Sequence, residues 1–307
     1  MKYGLMSGIL WGIDTVILGI ALGMMPFVGA AEATVASAFM HDAACAIILL
    51  VFMGARGRLG DTAAALKTRS GRVVILGALL GGPLGMSGYL LAIGNIGAGY
   101  TAAISAFYPA FGAFLSYIFL KEKMTPKQIC ALLVALLGIM VMGWSSASAD
   151  VPGNPLLGIL GALVCVIGWG SEAVILAWGM QDDSVDNETA LQIRETSSAL
   201  MYALVVVPLA GSYGLVFQAL PTASNLVLIV SALAGTTSYL FYYKGIDAIG
   251  PAKAMALNIS YSAWAVVFGA FTGAIPGPLE IVCCIVIICS TVLSATPDWK
   301  AMLSSAR

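Results

Sequence analysis

Trp11-Gly12-Ile13-Asp14-Thr15-Val16-Ile17 and Trp169-Gly170-Ser171-Glu172-Ala173-Val174-Ile175 repeat one another around an acid. Each stretch lies inside a long apolar run, where a carboxylate is costly. Charged side chains at a bilayer centre cost about 2.5–3.5 kcal/mol on insertion scales and tend to mark substrate or ion pathways. Acids at matching places in two halves of a chain imply an internally duplicated membrane transporter, with both acids facing a shared cavity.

The 307 residues are 60% hydrophobic and 9% charged, against about 25% charge in an ordinary soluble domain. A net charge of −1 gives no footprint for nucleic acid. Cys45, Cys130, Cys165, Cys283, Cys284 and Cys289 all sit in apolar runs, without metal-ligand or disulfide spacing, and read as small packing residues. No metal or cofactor is expected. A lone His and the absence of a His-Glu-x-x-His pattern argue against an intramembrane enzyme.

Apolar runs of about 20 residues span a bilayer. Ten such runs are expected, at residues 3–24, 33–53, 73–95, 98–120, 126–144, 155–180, 190–213, 224–243, 250–272 and 278–296. The first is read as a true span rather than a cleaved leader, because it holds Asp14 and has a partner at Trp169–Ile175. With the N-terminus inside, one set of loops carries Lys2, Arg56, Arg58, Lys67, Arg69, Arg72, Lys121, Lys123, Lys127, Lys244, Lys253, Lys300 and Arg307. The other set carries no Lys or Arg. That asymmetry places both termini in the cytoplasm, and the protein in the cell's inner (plasma) membrane. The acidic loop Gln181–Glu188 then falls inside without basic residues of its own.

Five spans per half make the expected fold an all-α membrane protein of ten transmembrane helices. They form two inverted five-helix repeats, residues 1–150 and 151–307. An offset of 153 residues pairs Ile96-Gly97 with Ile249-Gly250, Ser105 with Asn258, Tyr108 with Tyr261 and Phe111 with Trp264. The same offset pairs His41-Asp42 with Arg194-Glu195, one basic–acidic dipeptide in the second helix of each half. Those dipeptides read either as polar contacts between helices or as working groups.

Depth supports the pairing. Asp14 lies about ten residues, or 15 Å, into a hydrocarbon core about 30 Å thick. In the first span Gly8, Gly12, Thr15, Gly19 and Gly23 form a small-residue stripe for close helix contact, while Trp11, Asp14 and Leu18 form another about 100° away. Trp169 and Glu172 repeat the spacing of Trp11 and Asp14. In the ninth span Asn258, Tyr261, Ala265 and Phe268 share a face, with Trp264 beside it. Gly81-Gly82-Pro83, Pro109 and Pro208 interrupt the third, fourth and seventh spans as hinges or kinks.

The interior charges are then Asp14, Asp42, Glu172 and Glu195 against Arg194 and a titratable His41. An acidic cavity of this kind suits a cation. The candidate substrate-binding residues are Trp11, Asp14, Tyr108, Trp169, Glu172, Tyr239, Asn258, Tyr261 and Trp264. Asp14, His41, Asp42 and Glu172 are the candidate proton-coupling groups. Aromatic faces attract a diffuse cation such as a quaternary ammonium, at roughly 2 kcal/mol when desolvated. A compact ion would want oxygen ligands instead.

Ten spans, two five-helix halves and an inside N-terminus resemble the drug/metabolite transporter superfamily of EamA type. Gly168-Trp169-Gly170-Ser171-Glu172-Ala173-Val174-Ile175 and Tyr242-Tyr243-Lys244-Gly245-Ile246-Asp247-Ala248-Ile249-Gly250-Pro251-Ala252-Lys253-Ala254 are similar to stretches of the choline importers that feed phosphocholine decoration of bacterial surfaces. That resemblance implies proton-coupled uptake of choline, with aromatic side chains around its trimethylammonium group. Its partners would be a small cation, protons and the lipid bilayer. The alternative within the superfamily is an exporter of amino acids or other small metabolites, which requires a basic group such as Arg194 to reach the cavity.

Overall fold

A computed structural model describes residues 1–145, 153–181 and 185–299. The expected boundary at 150/151, part of the acidic loop, Lys300 and Arg307 lie outside these residues. The first half begins with α1 (Lys2–Leu22), α2 (Ala33–Ala55) and the short α3 (Leu59–Ala65). Helix α4 (Arg69–Leu79) runs through a π-helical stretch, Leu80–Gly85, into α5 (Met86–Ser105); α6 (Tyr108–Phe119) and α7 (Pro126–Ser145) follow. The second half opens with α8 (Pro155–Gly179) and α9 (Asn187–Met201), then a π-helical stretch, Tyr202–Val206. Helices α10 (Val207–Leu209), α11 (Tyr213–Ala219), α12 (Ala223–Ile249), α13 (Pro251–Asn258), α14 (Tyr261–Ala270) and α15 (Pro278–Ala295) complete the described chain.

Local chemistry starts these helices where the sequence changes character. Asn154 accepts from the backbone N–H groups of Leu156 and Leu157 ahead of a proline at the first position of α8. Asp186 accepts from Thr189 N to cap α9, and Thr68 accepts from Gly71 N to cap α4. Such caps satisfy backbone donors that a helix start leaves unpaired.

Among the described residues, seven helical segments are long and apolar enough to cross a bilayer: Lys2–Leu22, Ala33–Ala55, Arg69–Ser105, Pro126–Ser145, Pro155–Gly179, Ala223–Ile249 and Pro278–Ala295. An eighth arises if Asn187–Leu209 and Tyr213–Ala219, bent by 119°, count as one span. The continuous spans expected at 98–120 and 250–272 are corrected here, because both are broken. Gly97 (φ 79°, ψ 163°) and Gly250 (φ 83°, ψ 156°) adopt the left-handed region where each begins. Each then breaks again, between Ser105 and Tyr108 and between Asn258 and Tyr261. Both pairs of breaks fall at the 153-residue offset seen in the sequence.

Packing is reciprocal between the halves. Helix α1 lies along α12 and against α13 and α14, while α8 lies along α5 and against α4 and α6. Helix α2 meets α9, and α7 meets α15. Glycines set the close approaches. A side chain at Gly8 would meet Ser260 and the Leu257 carbonyl, and one at Gly12 would meet the Trp264 Cβ at 2.6 Å. The small-residue stripe is therefore shorter than expected. Gly19 has open space around it, Gly23 faces only its own helix, and Thr15 lines the central cavity instead.

Large apolar side chains stand exposed around the outside, among them Leu204, Phe217, Leu226 and Ile285. Polar and charged side chains are buried within, including Asp14, Glu172, Arg194 and Glu195. This inversion of a soluble protein is what a lipid surround demands. The chain is a multi-pass helical membrane protein.

At one end of the bundle, the acidic loop finds the partners that its own sequence lacks. Arg56 donates to both oxygens of Glu188 at 2.7 Å; Arg58 donates to Glu188 at 2.6 Å, to Asp61 at 2.7 Å and to Asp186. Nearby on the chain, Glu122 accepts from Ala252 N at 3.1 Å, with Lys253 Nζ 3.4 Å from its other oxygen. These contacts join loops of the two halves.

Partial burial alone would raise the Asp186 carboxyl, but the Thr189 N–H and the Arg58 guanidinium outweigh it and hold the group below its ordinary 3.8. Its contribution to stability is thus present above that value and lost as pH falls through the lower folded-state value. Thermal unfolding in detergent should show the wild type more stable than Asp186→Asn at neutral pH, with that advantage shrinking only as pH falls below about 3.8. Gly12→Leu should lower stability by about 1–3 kcal/mol through overpacking against Trp264, read as a reduced unfolding midpoint. An unchanged midpoint would show that α1 and α14 can separate freely.

Candidate functional site

The broken helices and the reciprocal packing converge on one cavity of about 330 Å³. Trp11, Asp14, Tyr108, Trp169, Glu172, Tyr239, Asn258 and Tyr261 line it, as do His41 and Asp42. Trp264 does not. It covers Gly12 and stacks on Phe268 at 6.1 Å, and its buried indole Nε1 meets no acceptor among the described residues. Its position beside the Asn258–Tyr261 face, rather than on it, accounts for the difference.

Within each half, the basic residue of the second helix holds the acid of the first. His41 Nε2 lies 3.2 Å from Asp14 Oδ1. Arg194 Nε donates to Glu172 Oε1 at 2.9 Å. The two pairs are joined through Asp42. Its Oδ1 is 3.7 Å from His41 Nδ1, and its Oδ2 accepts from Ser198 at 2.5 Å and stands 4.0 Å from Arg194 Nη1. Arg194 Nη1 also donates to Glu195 Oε1 at 2.9 Å. At the far end Ser231 donates to Asp14, whose backbone carbonyl is 3.1 Å from the same hydroxyl. The result is one continuous polar chain linking helices of both halves, with Asp14, Glu172, Arg194 and Glu195 buried and His41 and Asp42 partly buried at the cavity wall.

The aromatic residues form two corners of matching design. Trp11 meets Tyr239 at 4.7 Å and Tyr261 at 5.9 Å. Trp169 meets Tyr89 at 5.3 Å and Tyr108 at 5.7 Å. In each corner the tryptophan of a first helix faces tyrosines from the opposite half. Arg194 breaks the likeness. Its Cζ lies 4.6 Å from the centre of the Tyr239 ring, and its Nη2 donates to the Tyr239 hydroxyl at 3.1 Å. The residue at the 153-residue offset from Tyr239 is Met86, which also lines the cavity.

Asn258 has a structural task as well as a place in the wall. Its Nδ2 donates to Ser7 Oγ at 2.6 Å, and its Oδ1 accepts from Tyr108 at 3.2 Å. This fastens α13 to α1 and α6. The Gly81-Gly82-Pro83 run, read from sequence as a hinge or kink, forms the π-helical stretch before α5. A Cβ on Gly81 would collide with the Glu172 carboxylate, one on Gly82 with Ser198, and one on Gly85 with Trp169. These glycines let backbone approach the polar chain directly. Tyr89 and Tyr242 are wall residues that the sequence reading missed. The signal was available, since they are themselves related by the same 153-residue offset and Tyr242 lies one turn from Tyr239. Among the described residues, no group of His, Cys, Asp or Glu is arranged to hold a metal ion.

Two reciprocally packed sets of membrane helices enclose an acidic, aromatic cavity. Residues 1–144 match the EamA-like transporter family. Protein LicB of Haemophilus influenzae is 33% identical over 195 residues, a match covering 63% of this chain and 64% of LicB. The matched region is therefore less than two thirds of that relative's length. A further protein of known crystal structure shares the fold at a TM-score of 0.73 and 16% identity, over 100% of this chain and 98% of its own.

Gly81→Ala should displace the Glu172 carboxylate and cost about 1–3 kcal/mol of stability through overpacking. Thermal unfolding in detergent measures the cost. An Ala variant as stable as the parent would mean that the π-helical stretch can move away from Glu172 without consequence.

Proposed function

We propose that the protein is a secondary transporter that imports choline or a related quaternary ammonium compound, coupled to protons. In this reading it is built as two inverted five-helix repeats, residues 1–150 and 151–307, in the inner (plasma) membrane with both termini cytoplasmic. The breaks at Gly97 and Gly250 and the reciprocal packing of α1 and α8 support the repeat. Arg56 and Arg58, between α2 and α3, and Lys253, in the first turn of α13, support a basic cytoplasmic face.

The observation that carries the reading is the engagement of Arg194 by protein acceptors at all three of its nitrogens. Each of its guanidinium nitrogens already donates to a protein acceptor: Glu172, Glu195 or Tyr239. It is thus poorly placed to receive a substrate carboxylate, which disfavours the zwitterion-exporter alternative even though Arg194 reaches the wall. Four carboxylates against one guanidinium and one imidazole leave the interior short of positive charge. The aromatic corner of Trp169, Tyr89 and Tyr108 offers ring faces to a cation whose charge is spread over methyl groups.

With the N-terminus inside, the end of the cavity lined by Leu18, Leu22, Thr34 and Ser37 is the one nearer the outside. The Arg56–Glu188 and Arg58–Asp186 contacts tie segments together toward the opposite side. In this reading a cation enters from outside. A proton taken up with it through Asp14, His41, Asp42 or Glu172 and released inside would drive import.

Calorimetric titration should give binding of choline and close quaternary analogues and none of amino acids; the reverse pattern would transfer the reading to the exporter. Glu172→Gln should weaken choline binding at least about tenfold, or about 1.4 kcal/mol. Near-normal binding by a folded variant would make the acid structural. In proteoliposomes at zero membrane potential, external acid should accelerate choline entering the lumen, with Asp14→Asn and His41→Ala reducing the acceleration more than they reduce binding. A response to voltage alone would make the protein an electrogenic uniporter.

A further inference from the structure

The polar chain contains one acid that the transport reading does not use. Glu195 is 0% exposed and does not line the cavity. Its Oε1 accepts from Arg194 Nη1 at 2.9 Å. Its Oε2 is buried and meets no hydrogen-bond donor among the described residues. An ionised carboxylate is an acceptor at both oxygens, and leaving one of them buried and unpaired is costly. A protonated carboxyl lowers that cost, because an unpaired neutral group is less expensive to bury than an unpaired charge.

The other acids differ. Asp14 has His41 and Ser231; Asp42 has Ser198 and lies between His41 and Arg194; Glu172 has Arg194 Nε. A carboxylate oxygen faces each ring nitrogen of His41, the setting that suits imidazolium, a donor at both. Four carboxylates with imidazolium and guanidinium then carry a net charge of −2. One substrate cation and one proton together bring the interior to neutrality. Moving a neutral interior through its occluded state avoids the expense of an uncompensated buried charge.

We propose that Glu195 is the resident site of the transported proton, held as an Oε2–H bond directly behind the cavity wall. The inference rests on the proton-coupled reading above and deepens it. Asp42 provides the connection to the cavity, since it lines the wall and shares Arg194 Nη1 with Glu195. A hydronium ion in the cavity supplies the proton, its O–H bond breaking as Oε2–H forms; on release the Oε2–H bond breaks and water takes the proton up again. While Glu195 is neutral, Arg194 stays committed to Glu172 and Asp42. Once Glu195 ionises it competes for the guanidinium, which loosens Arg194 from the acid that faces the substrate.

The charged and titratable groups around Glu195 come from every helix that bears on its titration. They are Arg194 on its own helix, His41, Asp42 and Cys45 on α2, Glu172 on α8, and Tyr239 and Tyr243 on α12. None of them donates to Oε2.

The test is an acid-minus-alkaline infrared difference spectrum of the full chain in lipid nanodiscs, with and without choline. A buried protonated carboxyl gives a carbonyl band separate from the carboxylate bands and shifted in heavy water. That band should be present in the parent protein, lost in Glu195→Gln and retained in Glu172→Gln. Glu195→Asp, which keeps the acid, should restore the band at a shifted position. In proteoliposomes Glu195→Gln should lose the acceleration by a proton gradient while still exchanging choline across the membrane. Persistence of the whole band in Glu195→Gln, or its absence in the parent at every pH, would overturn the assignment. Absence of choline binding in the parent would instead defeat the substrate reading, since the band is scored from the pH steps alone.

Discussion

Among the described residues, Arg194 is the cation that hydrogen-bonds both Glu172 and Glu195, and the interior is arranged around it. It donates to Glu172 and Glu195, approaches Asp42 and lies over Tyr239. In a medium without water these groups have no alternative partners, so each must find its complement within the protein. Removing one partner of such a buried pair typically costs several kcal/mol, because the other charge is left uncompensated. The positions of α2, α8, α9 and α12 relative to one another follow from that requirement as much as from apolar packing.

That constraint also explains why close backbone approach recurs around the site. Glycines at 81, 82 and 85 bring the π-helical stretch against Glu172, Ser198 and Trp169. On the opposite side Gly235 brings α12 to within 2.9 Å, measured from its would-be Cβ, of Asp14 Oδ2. Any side chain at these places would separate helices that the polar chain must join. Small residues let membrane helices meet where apolar attraction between them is weak. Here they also permit the buried ion pairs to form.

The stretches that recur at the 153-residue offset give the cavity wall its pattern, and departures from that recurrence give the cavity its chemistry. Both halves supply a tryptophan beside an acid, and both second helices supply a base that holds that acid. Yet His41 is an imidazole and Arg194 a guanidinium, and Met86 stands where Tyr239 stands in the other half. One aromatic corner therefore has a ring already covered by a protein cation. The other, Trp169 with Tyr89 and Tyr108, has no protein cation over its rings among the described residues. A symmetric frame becomes a site with two unlike ends.

The local signals of the chain were legible without coordinates. Hydropathy marked most helices, because a lipid surround leaves little choice of residue over about 20 positions. The repeat around Asp14 and Glu172, and the 153-residue register, picked out the acids and many of the aromatic residues that line the cavity. Tertiary structure decided the rest. It broke the spans at 98–120 and 250–272, since left-handed glycines and double breaks look like ordinary apolar sequence. It turned Trp264 onto Gly12, and gave the acidic loop its partners in Arg56 and Arg58 from the other half. The sequence by itself determined which residues must be buried and which charges they carry, because that depends on composition and period along one helix. Which acid meets which base depends on how helices far apart in the chain cross, and only the fold specifies that.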